Sequence, residues 1–228
     1  MGEVIKLRRD REGIQMSERN LNNKVYQQIK QMMINYDLIP GQRLIFTDLA
    51  DKLGVSRTPV NNALSILAKE GFLDFVPNQG YTVHQITHEE ADALYEVREI
   101  LELGAVDGMI AGLTPEKLKI LERKEKSFNQ AVAENVRRGR FLLDQDFHAF
   151  IVEMSGNAYL AEYFREVYQR IFLRHRIGPL RGDRSVRVPA EHHEIFEAIR
   201  QRDADKAKKA ISEHIRSGKE YIYSFIFD

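Results

Sequence analysis

The sequence predicts a mainly α protein in which an N-terminal winged helix-turn-helix domain precedes an all-α helical bundle. Residues 49–72 have the pattern of two short helices joined by a tight turn. Residues 72–84 have the pattern of two short strands around a turn. After Ile86 the chain changes to long amphipathic segments without strand alternation. The expected domains are therefore residues 1–86 and 87–228.

The turn between the two short helices is marked by Gly54. Leu49 and Leu53 recur at helical spacing before it. Ser56 stands where an N-cap would open the next helix, and Pro59 lies in the first turn of that helix. A helix stop followed at once by a helix start predicts a helix-turn-helix.

The second helix of this unit presents polar side chains near its N-terminus. An apolar stripe from Val60 to Leu67 turns toward the core and leaves these side chains outside. Arginine can pair with the edge of guanine and asparagine with that of adenine, and a helix N-terminus attracts phosphate. An ordinary helical hairpin with a polar rim is the alternative. The residues expected to contact double-stranded DNA are Thr47, Ser56, Arg57, Thr58, Asn61 and Asn62, with Gln79 and Gly80 in the wing.

The two strands form the expected wing, whose tip carries no positive charge. Asn78, Gln79 and the backbone of Gly80 would meet phosphate or the minor groove through hydrogen bonds. Upstream, an amphipathic segment over residues 21–34 supplies a further helix. Three helices and a wing complete the predicted domain.

Composition limits the function classes. The chain has 228 residues, 43% of them hydrophobic, and no apolar run of the about 18 residues that suggest a membrane span. Its lack of cysteine excludes disulfides, thiolate ligands and cysteine nucleophiles and favours a cytoplasmic protein. Residues 1–86 contain 11 Lys and Arg against 9 Asp and Glu. Because this excess is small, the expectation of DNA binding rests on the motif and not on charge.

The second domain is expected to contain six helices. Thr87 with Glu90, and Thr114 with Pro115, are helix-start signals. A longer basic loop is expected over residues 178–189. The predicted helices span residues 88–112, 115–138, 140–155, 157–177, 187–201 and 203–224.

Four polar side chains on three of these helices are candidate metal ligands. Asp144 and His148 are one turn apart, so both project from one helix face. His192 and His214 each share a face with apolar residues, whereas His193 is turned about 100° away. Buried imidazole and carboxylate groups need hydrogen bonds or a metal, and one cation would satisfy all four. The alternatives are a surface ion pair for the first two, or four groups that satisfy one another in the core.

The N-terminal domain resembles the GntR family of bacterial transcription regulators. The resemblance covers residues 20–84 and rests on L-I-P-G-Q-R-L, L-A-D-K-L-G-V-S-R-T-P-V and the wing ending in G-Y-T-V. Members commonly have R-T-P-V-R-E-A-L where this chain has R-T-P-V-N-N-A-L, so Asn61 replaces an arginine that typically contacts DNA. Gln79 likewise stands where a basic wing residue is common. The resemblance implies DNA binding. Because of these two differences, it does not predict which operator sequence the chain binds.

The helical domain is similar to the FCD ligand-binding domain of FadR-type GntR regulators. The similar stretches are V-R-E-I-L-E, D-Q-D-F-H followed by S-G-N, and E-H-H-E-I-F-E-A-I. In metal-binding members an aspartate and three histidines coordinate a divalent cation, and the resemblance places these ligands at Asp144, His148, His192 and His214. Nitrogen-rich ligation with one carboxylate suits Zn²⁺, Ni²⁺ or Mn²⁺.

A metal with four protein ligands has positions left for a small carboxylate effector, which we expect beside it. Arg98 is a candidate carboxylate clamp, with a helix pair to Glu102 as its alternative role. Asn157 is a second candidate contact, with an N-cap as its alternative. A purely structural metal is another hypothesis. A metal-dependent hydrolase is a third, although Asp146 is poorly placed as its general base.

These features together predict a transcription regulator that acts as a repressor, and not an enzyme. The family resemblance implies a homodimer, and so do the few base pairs that one recognition helix can contact on a short inverted repeat. The apolar segment over residues 221–227 is expected to pack along the bundle or across a dimer.

Overall fold

The computed structural model describes residues 20–136, 140–174 and 183–226. The chain divides into two compact units between Gln85 and Ile86. The sequence placed this boundary one residue later. Over these residues the fold is mainly α, with a small sheet in the N-terminal unit, which confirms the fold class expected from the sequence.

The described part of the N-terminal unit contains three helices and an antiparallel sheet with strand order β1-β3-β2. Strand β1 was not predicted, because two residues leave no alternation to detect. It pairs with the outer edge of the wing hairpin, Arg43 opposite Thr82 and Leu44 opposite Tyr81. In chain order the elements are α1 (20–34), β1 (Arg43–Leu44), α2 (Phe46–Leu53), α3 (Arg57–Lys69), β2 (Leu73–Val76) and β3 (Gly80–Val83).

The turn between α2 and α3 forms where the sequence predicted it. Gly54 ends α2 in the left-handed conformation, with φ at 65°, which glycine adopts without steric cost. Ser56 has the extended backbone of an N-cap, although its side chain makes no capping hydrogen bond within the described structure. Val60 and Leu67 are fully buried, so α3 turns its apolar stripe inward and its polar side outward.

The second unit is helical throughout its described residues. Thr87 and Thr114 cap the first two of its helices, each accepting a hydrogen bond from a backbone N–H in the first turn. Gly156 ends the third with φ at 77°. The helices are α4 (His88–Ala111), α5 (Pro115–Ala133), α6 (Arg140–Glu153), α7 (Ala158–Leu173), α8 (Arg184–Arg200) and α9 (Ala204–Ile226).

Helix α8 begins earlier than the sequence predicted. The expectation of a loop up to Pro189 was wrong, because this proline lies inside the helix, in its second turn. A proline there removes one backbone hydrogen bond, and an ion pair joins residues on either side of the proline. Nη1 of Arg184 lies 2.6 Å from Oε1 of Glu191, two turns further along. Residues 178–182 of the expected loop, and residues 175–177 predicted as the end of the preceding helix, lie outside the described structure.

The end of α9 packs against the start of α4. The hydroxyl of Tyr223 donates to Oδ1 of Asp92 at 2.8 Å, and its ring lies 4.7 Å from that of His88. This part of the apolar C-terminal segment therefore follows the bundle, and Phe227 lies outside the described residues. Within the described ranges, no helix has both the length and the hydropathy needed to cross a membrane.

Candidate metal centre and nucleic-acid interface

Three helices of the second unit bring four possible metal ligands together. Asp144 and His148 lie one turn apart on α6, His192 lies on α8 and His214 on α9. One ligand atom of each residue lies within 4.8 Å of the other three. The three imidazoles are at most 3% exposed. The residues selected from the sequence as ligands are thus neighbours in the folded unit.

The ligand atoms enclose one small volume. Nε2 of His148 lies 3.3 Å from Nε2 of His192 and 3.1 Å from Nε2 of His214. Nε2 of His192 lies 3.1 Å from Oδ1 of Asp144. Three imidazole nitrogens and one carboxylate oxygen therefore face each other inside the helical core.

Two glutamates form hydrogen bonds with the ring nitrogens of His148 and His214 that point away from the cluster. Oε2 of Glu102 lies 2.7 Å from Nδ1 of His148, and Oε2 of Glu191 lies 3.0 Å from Nδ1 of His214. Burial raises the pKa of both glutamates, but their partners, the histidines foremost, lower each pKa to about 2. An ionised carboxylate can only accept hydrogen bonds, so each Nδ1 carries a proton, and Nε2 is the ring nitrogen that each imidazole offers to a metal.

Packing and charge keep His192 neutral and Asp144 ionised, which are the protonation states in which these two residues can bind a metal. The ring of His192 lies between those of Phe128 and Phe147, and its burial lowers its pKa, so the ring is neutral at neutral pH. Burial raises the pKa of Asp144, but the hydrogen bond and charge of His192 lower it well below its ordinary value. The hydroxyl of Tyr168 donates to Oδ2 of Asp144, which leaves Oδ1 toward the cluster.

This arrangement fits a divalent cation. Nε2 of His148 and Nε2 of His214 lie 3.1 Å apart, close enough for both nitrogens to bind one cation. Burial lowers the pKa of His214 to about 3, so its imidazole is neutral at neutral pH. A hydrogen bond from His192 to Asp144 would satisfy only two of the four groups. Neutral imidazoles with one carboxylate are a donor set suited to Zn²⁺, Ni²⁺ or Mn²⁺.

Arg98 lies beside this cluster and is 3% exposed. Its Nε donates to Oε1 of Glu102 at 2.7 Å, so the helix pair considered from the sequence is present. Its guanidinium carbon lies 5.0 Å from the centre of the Tyr168 ring. Its Nη2 is buried and has no hydrogen-bond partner within the described structure. Arg98 therefore keeps one donor for a further acceptor, and its role as a carboxylate clamp stays a prediction.

The structure does not bring Asn157 to the cluster. This residue is exposed and forms the N-cap of α7, where its Oδ1 accepts from the backbone N–H of Tyr159 at 3.1 Å and of Leu160 at 3.3 Å. These contacts are those of the capping alternative. Its proposed contact with an effector has no support from them.

Two nearby polar residues point elsewhere. His193 has a 61% exposed side chain, and its Nδ1 lies 3.0 Å from Oε1 of Glu125. Asp146 has a 55% exposed side chain and pairs with Nζ of Lys124 at 2.5 Å. Neither side chain contributes to the ligand cluster.

Three further residues of the site, Glu102, Glu191 and Tyr168, were not predicted from the sequence to have a role there. A weak signal existed for Glu191, which immediately precedes His192, and for Glu102, which follows Arg98 by one turn. Tyr168 gave no signal, because an aromatic residue on an apolar helix face is ordinary core composition.

The predicted DNA-contacting residues of α3 share one exposed edge. Ser56 to Thr58 are exposed at its start, and Asn61 and Asn62 are exposed one turn on. Thr47 is half-buried in the first turn of α2, with its Oγ1 3.3 Å from Oδ1 of Asp48. Gln79 is exposed at the wing tip, next to Gly80, where β3 begins. The geometry permits α3 to enter a major groove with its N-terminal end first.

Comparison with known proteins matches both units. The family of bacterial regulatory proteins called gntR matches residues 21–83, and the FCD domain matches residues 93–217. The HTH-type transcriptional regulator YdhC of Bacillus subtilis is 29% identical over 198 residues, which cover 86% of this chain and 88% of that protein. The Nta operon transcriptional regulator of Aminobacter aminovorans is 29% identical over 197 residues, 86% of this chain and 91% of that protein.

Solved structures show the same fold. Escherichia coli McbR/YncC superposes with a TM-score of 0.75 at 26% identity, covering 90% of this chain and 97% of that one. The fold and the two sites define a winged-helix DNA-binding protein with a helical ligand-binding domain. The chain belongs to the GntR family of bacterial transcription regulators and carries the FCD domain. It is a regulator and not an enzyme.

The two adjacent histidines of α8 provide a matched test of the ligand assignment. His192→Ala removes one of the four donors, and water does not readily replace it in this buried site. The variant is therefore expected to retain only a small fraction of the wild-type amount of bound metal. His193→Ala removes an exposed imidazole and should keep the wild-type stoichiometry. The measurement is elemental analysis of each purified protein after dialysis. Equal losses in the two variants would contradict the assignment.

Proposed function

We propose that this GntR regulator is a homodimeric repressor of a short inverted-repeat operator, controlled by a small carboxylate that binds beside a divalent metal. The metal ligands in this proposal are Asp144, His148, His192 and His214. The observation that carries it is the convergence of three imidazole nitrogens and one ionised carboxylate, with the Nδ1 protons of two rings directed away to glutamates.

A bound cation would supply the Lewis-acid positions at which a carboxylate coordinates. The chain itself supplies the groups that orient the ligands: Glu102 sets the tautomer of His148, and Tyr168 holds Asp144. Arg98 supplies a buried cation with an unused donor on the α4 side, a group suited to a carboxylate oxygen. A purely structural metal would not account for this unpaired donor, whereas a carboxylate effector would. The unpaired donor therefore favours the hypothesis of a metal site that binds an effector.

Helix α9 offers a route from the metal centre to the start of the helical unit. His214 lies on this helix, and two turns later Lys219 and Tyr223 contact Asp92 in α4. Helix α4 begins directly after Thr87, where the chain arrives from the wing. A shift of α9 on ligand binding would therefore act on residues 83–87 and on the separation of the two recognition helices in a dimer. By linkage, DNA would weaken ligand binding by the same factor.

The DNA-contacting edge proposed here consists of the exposed residues at the start of α3 together with the wing tip. Arg57 is the one residue of that edge able to form a bidentate contact with guanine. Asn61 and Asn62 are suited to adenine. The uncharged wing tip would contribute hydrogen bonds and no counterion release.

Arg57→Ala is expected to weaken binding to a specific duplex by about 10- to 100-fold, the range of one bidentate base contact. The duplex is one selected from a random pool by the wild-type protein, and fluorescence anisotropy gives the Kd. Arg123→Ala, an exposed arginine of α5, makes the same change in charge and should leave the Kd within about two-fold. Wild-type affinity in Arg57→Ala, with its dimer intact, would contradict the recognition-helix assignment.

Effector control is tested with the same duplex and a panel of small carboxylates. At least one acid should change the Kd of the metal-loaded protein by about 5- to 150-fold, the usual range of allosteric coupling. The chelator-treated protein and His192→Ala should not respond. A response that persists without metal would overturn metal-dependent control, and no response from any acid in the metal-loaded protein would leave a structural metal as the better account.

A further inference from the structure

The groove between α5 and α8 contains a cavity of about 610 Å³ that is separate from the metal centre. A volume of this order is typical of small-molecule sites, which measure about 300–1,000 Å³. None of the four candidate metal ligands is among the described residues that line the cavity, and it lies on the side of α8 that carries His193. Leu118 and Phe196 contribute apolar surface to its wall. The groove therefore has the size of a site for a second small molecule.

Two acceptor groups of α5 line this cavity without a full set of partners. The side chain of Glu125 is 6% exposed. Among the described residues, the one hydrogen-bond partner of its carboxylate is His193, whose Nδ1 lies 3.0 Å from Oε1. Asn129 lies one turn later on the same face, and its Oδ1 is buried with no hydrogen-bond partner in the described structure. Since an unpaired buried acceptor destabilises the fold, an occupant that donates hydrogen bonds to these oxygens would be stabilising.

The charges around the cavity favour a positively charged occupant. Four of the charged residues at its rim form ion pairs within their own helices, with N–O distances of 2.6 Å: Lys126 with Glu122, and Arg200 with Glu197. Lys119 is exposed at the rim, where solvent screens its charge. The carboxylate of Glu125 is buried, and a buried carboxylate is costly unless a cation pairs with it. A cationic ligand would therefore offset this cost.

An ammonium group fits this cavity better than a metal ion does. Among the described residues, the His, Asp and Glu side chains that converge in groups of three or more are those of the metal centre, and the groove has no such group. A primary ammonium has three N–H donors, which match the carboxylate and amide oxygens. A hydrocarbon attached to it can pack against Leu118 and Phe196. The cavity therefore suits an amine that has an apolar portion.

We propose that the groove between α5 and α8 is a second ligand site of this regulator and that it binds a primary amine with a hydrocarbon portion. The ammonium group donates hydrogen bonds to the carboxylate of Glu125 and to Oδ1 of Asn129, and the hydrocarbon packs against Phe196. The imidazole of His193, whose side chain is 61% exposed, turns toward solvent to admit the amine. This site takes a ligand opposite in charge to the carboxylate effector, and it does not depend on the metal.

The first test is calorimetric titration of the full-length protein with two probes of nearly the same shape. One is 2-phenylethylamine, which is protonated at neutral pH, and the other is 2-phenylethanol, which has no charge. The amine should bind at one site per chain and at least about ten-fold more tightly than the alcohol, because only the amine pairs with the buried carboxylate. Its affinity should be the same in metal-loaded and chelator-treated protein, since the described lining of the cavity includes none of the metal ligands.

Three variants locate the bound amine. Glu125→Gln keeps the shape of the side chain and removes its charge, so amine binding should weaken by about ten-fold or more while the alcohol affinity stays unchanged. Glu122→Gln makes the same change on the same wall, at a side chain that is 42% exposed and paired with Lys126, and the amine affinity should stay within about three-fold. Asn129→Ala removes the second acceptor and should weaken amine binding by about 3- to 10-fold. A thermal melt checks that each variant folds.

Equal affinity for the amine and the alcohol would overturn the proposed amine site, and so would amine binding that is lost with chelator or that does not saturate at millimolar concentrations. A purely structural role of Glu125 and Asn129 would lower the Tm of their variants and leave the amine affinity at its wild-type value, which also overturns the site. Amine binding through Glu125 in a chain that holds no metal refutes the proposed metal-dependent control and leaves the amine site standing.

Discussion

The structure of the helical unit depends on one interaction, the mutual approach of three imidazole nitrogens and the Asp144 carboxylate in a core that excludes water. Nε2 of His148 lies 3.1 Å from Nε2 of His214. Two ring nitrogens this close in a buried site can both be ligands of one cation. With a cation bound, the same four side chains would join α6, α8 and α9 at one point. Metal binding would then contribute to the stability of the packing between these helices.

The charged groups behind the ligands link this point to the rest of the bundle. The pair of Glu102 and Arg98 places α4 in contact with α6 through His148. The contacts of Arg184 with Glu191 and Ser217 connect the start of α8 to α9. The residues that set the histidine tautomers thus also decide how the helices lie. The metal ligands and their hydrogen-bond partners therefore connect four helices, α4, α6, α8 and α9.

Much of the fold and of the metal centre could be predicted from the sequence, and there are physical reasons why the remaining features could not. Gly54 and the apolar stripe of α3 predicted the helix-turn-helix, and helical spacing selected the four ligands now found together. Strand β1 was too short for its pattern to be visible. Pro189 concealed the true start of α8, because a proline is disfavoured inside a helix. The partners of the histidines come from distant helices, so no local pattern could assign them.

The most direct test of the metal centre is X-ray absorption spectroscopy at the edge of the metal that copurifies with the full-length protein. We expect one metal ion per chain, ligated by three imidazoles and one carboxylate oxygen at about 2.0–2.2 Å, with the remaining positions taken by light-atom ligands. This spectrum should be lost in a protein lacking any one of the three histidines. A spectrum of a hydrated ion without imidazole scattering, or a chain that retains no metal, would contradict the proposed metal centre.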